Sequence, residues 1–218
     1  MRVLSIDTST DLGAVACVEA GVLRAELSAS VRARHGERLF AMLEQVLDHA
    51  GWARADIDLV ACGLGPGSFT GTRVGVAAAK GLALALDRPI RGVGSLVALA
   101  LGAPGALLAP VADAHQGEVF LAVYERTAAG LLERLAPLHA APDAALAALA
   151  PFAGATIFGA GARRYPHVLS PALPPIHDAP RAALIAIEAQ ARFAAEGPHD
   201  LAALEPLYVR PSDAKVPA

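Results

Sequence analysis

Apolar and polar positions along this chain switch between two periods, and the switches outline its elements. Residues 2–6 form a short apolar run that ends at Asp7-Thr8-Ser9-Thr10 and predicts a buried strand. Residues 13–19 and 22–28 predict two more strands, with Ala20-Gly21 as a two-residue hairpin turn. Residues 36–50 change to helical spacing: Leu39, Met42, Leu43, Val46, Leu47 and Ala50 share a face that Phe40 widens, and Gly51 closes the helix. The apolar run 57–61 then leads into Cys62-Gly63-Leu64-Gly65-Pro66-Gly67-Ser68-Phe69-Thr70-Gly71-Thr72-Arg73, followed by the long apolar segment 74–86. That order predicts strand, glycine loop and helix, with Ser68 or Thr70 as the helix cap.

The second half restarts the pattern. After a short strand at 90–93 and a helix opened by Ser95, Ala103-Pro104-Gly105 marks a boundary. Residues 107–112 predict a strand that ends at Asp113-Ala114-His115-Gln116-Gly117, and 118–124 and 131–138 predict two more. The unit strand, Asp turn, strand, turn, strand thus occurs twice, from Asp7 and from Asp113. Helices at 143–150 and 181–196 and a short strand at 156–158 complete the half. The reading is an α/β protein of two related lobes, 1–104 and 105–218, the second reduced, with the tail from Glu205 packing back on the first.

The helix at 72–86 carries the most information. Arg73, Lys80 and Asp87, seven residues apart, form one polar line, and the rest of the surface is apolar or small. Such a helix is covered on more than one side, by this chain's own sheet and by either a second part of the chain or another chain. Gly71, Gly75 and Ala79 recur every fourth residue and make a flat stripe for close backbone approach.

Composition narrows the function classes. The 218 residues are 55% hydrophobic and 18% charged, with a net charge of −3. Ten basic residues face ten acidic ones through residue 104, and eight face eleven beyond it, so neither half is a basic platform for unaided nucleic-acid binding. Cys17 and Cys62 both sit in apolar runs, which predicts reduced, buried thiols and a cytoplasmic protein. Residues 92–112 are uncharged for 21 positions, but Pro104-Gly105, Pro110 and three further glycines break the run, so no membrane span is expected. The first residues are too short an apolar run for a signal peptide.

Catalytic constellations are thin. The glycine loop lacks the Lys-Ser or Lys-Thr of a Walker loop, and Gly159-Ala160-Gly161-Ala162 is too irregular for a dinucleotide fingerprint. There is no His-x-x-x-His, Cys-x-x-Cys or Gly-x-Ser-x-Gly. Asp7, Thr8, Ser9 and Thr10 offer a carboxylate and three hydroxyls at a strand end, suited to a phosphate loop or to an Asx or Ser/Thr turn. Asp7 and Asp113 could pair across two lobes, or simply close two equivalent turns.

Four stretches carry a resemblance: residues 4–10 (Leu-Ser-Ile-Asp-Thr-Ser-Thr), 63–75 (Gly-Leu-Gly-Pro-Gly-Ser-Phe-Thr-Gly-Thr-Arg-Val-Gly), 113–120 (Asp-Ala-His-Gln-Gly-Glu-Val-Phe) and 205–210 (Glu-Pro-Leu-Tyr-Val-Arg). In this order they resemble the bacterial TsaB family, also called YeaZ, which serves in making threonylcarbamoyladenosine in tRNA. The resemblance implies the two-lobed actin-like ATPase fold. It also implies a non-catalytic subunit, without cofactor or metal, that binds and activates the catalytic relative TsaD together with TsaE, a small ATPase. TsaD carries a metal-binding His pair soon after its equivalent long helix. Here that stretch reads Val-Gly-Ser-Leu-Val-Ala-Leu over 93–99, and Ser95 and Leu99 stand where the pair would be. His35 lies elsewhere. The resemblance implies a homodimer when the protein is alone and contact with tRNA only through the complex. The expected partner surface is Leu39, Met42, Val46, Gly71, Val74, Gly75, Ala78, Ala79 and Leu82. The alternative is an enzyme of the same superfamily, a nucleotide-dependent phosphotransferase or a peptidase.

Overall fold

The structure is a computed structural model that describes residues 1–30 and 35–210. Arg2–Asp7 (β1), Leu12–Glu19 (β2) and Val22–Ser30 (β3) form the expected antiparallel meander, with Ala20 and Gly21 at φ of 51° and 79° in the first hairpin turn. His35–Ala50 (α1) follows, and its first side chains, His35 and Glu37, lie outside the described ones. Leu59–Gly63 (β4) and Ile90–Val93 (β5) flank Phe69–Leu86 (α2) and add in parallel. The sheet order is β3-β2-β1-β4-β5.

After Ser95–Leu101 (α3) the pattern repeats. Leu107–His115 (β6), Glu118–Thr127 (β7) and Gly130–Ala140 (β8) form a second antiparallel meander. Pro142–Leu149 (α4) crosses over to Thr156–Phe158 (β9), which joins β6 in parallel. The order β8-β7-β6-β9 reproduces the first sheet with its last strand missing. Ala160–Arg164 (α5), Pro166–Leu169 (α6) and Ala182–Glu196 (α7) complete the chain's helices among the described residues.

Strand alternation divides the core into layers. Leu4, Ile6, Val15 and Cys17 point to one face of the first sheet, where Leu39, Met42, Leu43, Val46 and Leu47 of α1 and Val76, Ala79 and Ala83 of α2 cover them. Val3, Ala14, Ala16 and Val18 point the other way, into a layer shared by α3, α7 and the inner face of the second sheet. The outer face of the second sheet, with Val111, Val119 and Leu121, is covered by α4, Ala162 and Leu169. Ser5 faces the shared layer and its hydroxyl donates to Ala182 O at 2.6 Å, tying β1 to the start of α7. So α7, late in the chain, packs on the first sheet.

Two sequence expectations require correction here. The helix at 95–101 is not capped by Ser95: Gly94 is the cap residue and the Ser95 hydroxyl bonds elsewhere. The expected partner surface is largely interior. Leu39, Met42 and Val46 are 0%, 4% and 2% exposed, under the first sheet, and have no area left for a partner to cover. Gly71, Gly75 and Ala79 are buried as well. A methyl group on Gly71 would overlap Thr8 O, and one on Gly75 would overlap Thr8 Oγ1, so the small-residue stripe fits this chain's own β1 turn. The physical reason is short connection: α2 leaves β4 through a tight loop and must lie back across β1, to which β4 pairs. Val74, Ala78 and Leu82, turned around the helix, are half-buried, while Ala77 and Gly81 are exposed and Leu84 is 71% exposed.

The polar line of α2 has a cover within the chain. Lys80 Nζ donates to Ala202 O and Leu204 O, and Arg73 Nε donates to Tyr208 OH at 2.9 Å. The Leu207 amide donates to Leu64 O at 2.7 Å, and His199 N to Ile90 O at 2.9 Å. The tail therefore runs along α2 and the ends of β4 and β5. Asp87, last in the line, takes the left-handed conformation at φ 51° that ends the helix.

Candidate functional site

β1 is buried on both faces from Val3 to Asp7, and the Asp7 carboxylate at its end is drawn inward because its partners lie there. Asp7 Oδ1 accepts from the Ser9 amide at 2.9 Å and the Ser9 hydroxyl at 2.8 Å, an Asx turn that reverses the chain into β2. Asp7 Oδ2 accepts from the Ser95 hydroxyl at 2.8 Å, and Ser95 Oγ accepts from the Gly65 amide at 3.1 Å. Gly63 lies so close that a side chain there would overlap the carboxylate. Burial pushes the Asp7 carboxyl above its usual range, and the hydrogen bonds from Ser9 and Ser95 pull it part of the way back. Burial, with the neighbouring Asp7 charge, pushes the Cys62 thiol up to about 12.

The other residues of the turn are engaged too. Thr8 Oγ1 donates to Gly71 O at 2.6 Å, and Ser9 O accepts from the Ser68 amide at 2.7 Å. Ser68 in turn caps α2, its hydroxyl accepting from Gly71 N at 3.2 Å. Thr10 Oγ1 bonds to the backbone of Leu12. Of the two readings left open by the sequence, the geometry is that of a turn: Asp7, Thr8, Ser9 and Thr10 lock the glycine loop to the end of β1.

Asp113 occupies the equivalent position in the second sheet and repeats the turn. Its Oδ1 accepts from His115 N at 2.9 Å, and its Oδ2 takes an ion pair from Arg164 at 2.8 Å. Each of the two carboxylates is satisfied by its own neighbours. Gly159, at φ 107°, and Gly161 lie against β6, where a Cβ on Gly161 would come within 2.6 Å of Ala112 O, so these glycines serve close helix–strand packing.

Three of the four stretches noted in the sequence meet around one cavity of about 530 Å³: residues 66–73, 114–120 and 206–210. The Arg73 guanidinium carbon lies over the Phe69 ring, 3.7 Å from its centroid, and 5.5 Å from that of Tyr208. Arg210 Nη1 donates to Ala114 O at 3.0 Å and pairs with Glu118 at 3.4 Å, which fastens the tail to the β6–β7 turn. Sequence reading missed this grouping. Its signals were the Phe69–Arg73 spacing of one helical turn and the Tyr-x-Arg ending of the tail. A second cavity, of about 290 Å³, opens between residues 9–12, 112–115 and 175–179. Among the described residues no group of three or more His, Cys, Asp or Glu side chains is placed to hold a metal ion, and no helix is long and apolar enough to cross a membrane.

Comparison with known proteins is consistent across sequence and structure. The family model for TsaD, tRNA N6-adenosine threonylcarbamoyltransferase, matches residues 28–157. The chain is 40% identical over 136 residues to the tRNA threonylcarbamoyladenosine biosynthesis protein TsaB of Escherichia coli, covering 60% of this chain and 58% of that protein. It is 34% identical over 139 residues to TsaB of Bacillus subtilis, covering 63% and 60%. The solved structure of YeaZ from Pseudomonas aeruginosa superposes with a TM-score of 0.81 at 26% identity, over 95% of this chain and 99% of that one. The chain belongs to the TsaB (YeaZ) family. The two TsaB alignments span about three fifths of the length of those relatives. The TsaB-family fold here is the actin-like α/β class, two mixed sheets of one design with the second reduced. At the position implied for the TsaD metal pair, this TsaB-family chain has Ser95, held by Asp7 and Gly65, and Leu99, 4% exposed in the apolar layer between the sheets.

Proposed function

We propose that this chain is a non-catalytic subunit in the formation of threonylcarbamoyladenosine in tRNA, working in the cytoplasm. It binds and activates TsaD together with TsaE, pairs with itself when alone, and meets tRNA only through the complex. The single observation that supports this most is the chemistry at Ser95 and Leu99: a hydroxyl with both hydrogen bonds engaged and a buried aliphatic side chain supply no ligand for a metal ion. Asp7 supports the same reading, because its carboxylate is enclosed by Gly63, Ser9 and Ser95 and is not open to a substrate. We place the functional division between residues 1–104 and 105–218.

For the partner surface, the interior positions Leu39, Met42, Val46, Gly71, Gly75 and Ala79 drop out. What remains is the outward side of α2: Val74, Ala78 and Leu82, extended by Ala77, Gly81 and Leu84, with Phe40 of α1 at 61% exposure. This apolar face suits a helix of a related fold, whether a second copy or TsaD.

The test is reconstitution. Purified chain is added to TsaD, TsaE, tRNA and a threonylcarbamoyl donor, and modified adenosine is counted. Formation that depends on this chain supports the reading. Equal product without it, or ATP turnover by the chain alone that is lost in Asp7→Ala, refutes it.

A further inference from the structure

The 530 Å³ cavity beside α2 has the size and lining of a small-molecule site, and nothing assigned so far uses it. Its walls come from three segments distant in sequence. Phe69, Phe120, Leu207 and Tyr208 make it largely apolar, with Phe69 and Tyr208 each 48% exposed. Among the described residues its lining holds no Asp or Glu, but it holds Arg73, Arg210 and His115, on a chain whose net charge is −3.

Arg73 is the informative member. Stacking on Phe69 and the bond from Nε to Tyr208 OH hold the guanidinium in one orientation. No carboxylate pairs with it among the described residues. A guanidinium fixed through Nε and one face keeps its two terminal nitrogens as a ready fork for an oxyanion. Beside it, Thr72 lines the same cavity at 5% exposure, and its hydroxyl has no hydrogen-bond partner among the described residues. A buried hydroxyl without a protein partner is unfavourable, so Thr72 offers the cavity a polar group able to donate and accept.

We infer that this cavity binds a small organic anion with an aromatic body, its ring among Phe69, Phe120 and Tyr208 and its oxyanion on the Arg73 fork. Phosphate monoesters and carboxylates share the required chemistry. The site is independent of the subunit reading above, since neither α2's outward face nor Ser95 contributes to it.

Calorimetric titration of the full chain tests this with adenylate, phenyl phosphate, phenylacetate, adenosine and inorganic phosphate. Saturable binding of the aromatic anions is expected, with adenosine and inorganic phosphate each weaker by about tenfold or more. Adenylate and phenyl phosphate outdoing phenylacetate assigns a phosphate ester, and the reverse assigns a carboxylate. Arg73→Gln should weaken the aromatic anion by about tenfold, and Leu207→Trp, which fills the cavity from its exposed tail wall, should abolish binding. Both variants are first checked for an unchanged thermal midpoint. The inference is overturned if no probe saturates up to about 5 mM, if inorganic phosphate binds as tightly as the aromatic anions, or if both variants with wild-type stability bind like the wild type.

Discussion

Replacing Gly75 by alanine inverts the usual effect of that substitution, and the structure says by how much. In a helix interior, Gly→Ala stabilises by about 1 kcal/mol. At Gly75 the new methyl would overlap Thr8 Oγ1, while Thr8 Cβ and N stand at 3.5 and 3.6 Å. Thr8 is 1% exposed and its hydroxyl is tied to Gly71 O at 2.6 Å. Relief comes from moving α2 off β1, an overpacking strain of about 1–3 kcal/mol, or from turning the hydroxyl away from Gly71 O. The second route leaves a buried donor unpaired, again about 1–3 kcal/mol. The overlap is severe, so the upper end applies, and after the helix gain the net loss is about 2 kcal/mol. In a Thr8→Ala background the obstructing oxygen is gone and 3.5 Å to Cβ is ordinary contact, so the same change stabilises by up to about 1 kcal/mol. The double-mutant cycle therefore carries a coupling of about 3 kcal/mol. Gly81→Ala, with nothing within 4 Å of its added methyl, is the control and stabilises. Urea unfolding followed by circular dichroism gives all four values. If Gly75→Ala alone stabilises as Gly81→Ala does, the stripe does not face Thr8 and the argument fails.

Further predictions follow from other contacts. His199 Nδ1 accepts from the Gly92 amide at 3.0 Å, and burial together with the Arg91 charge holds its pKa below the ordinary 6.5. The unfolded chain then binds more protons, so this contribution is complete above about pH 6.5 and is lost as pH falls through the folded value. The urea midpoint should fall on acidification more in the wild type than in His199→Asn, and equal slopes would refute the assignment. Cys17 and Cys62 are buried with thiols pushed up to about 12, so a thiol-reactive dye should label neither in the native chain and both after denaturation. Leu84→Asp, at a side chain 71% exposed, should change stability by less than about 0.5 kcal/mol yet abolish self-association in light scattering and stimulation of TsaD; a variant that still does both removes α2 from the partner surface.

The two meanders were legible because period-2 alternation and turn residues are local signals, and both Asp turns follow from them. Helix α1 and most of α2 were legible for the same reason. Their packing was not. Leu39, Met42 and Gly75 carry an apolar or small face in sequence, but periodicity does not say whether the neighbour is a strand of the same chain or a second molecule. The answer lay in Thr8, whose hydroxyl fits the space at Gly75. Ser95 misled in a similar way: a serine at a helix start reads as a cap, but its hydroxyl donates instead to Asp7, distant in sequence and adjacent in space. The cavity at Arg73 was hidden because its three walls meet only after α2, the β6–β7 turn and the tail are in place.

The carboxylate of Asp7 has a kinetic meaning as well. It secures the Ser9 amide directly and the Gly65 amide through one hydroxyl, that of Ser95. Neither of these two protons is held by a strand ladder, so neither reports on the unzipping of a sheet. Both wait for one event, the loosening of a single buried side chain. Two amides far apart in sequence should therefore exchange with deuterium on a common clock, and the glycine loop and the β1 turn behave as one opening unit.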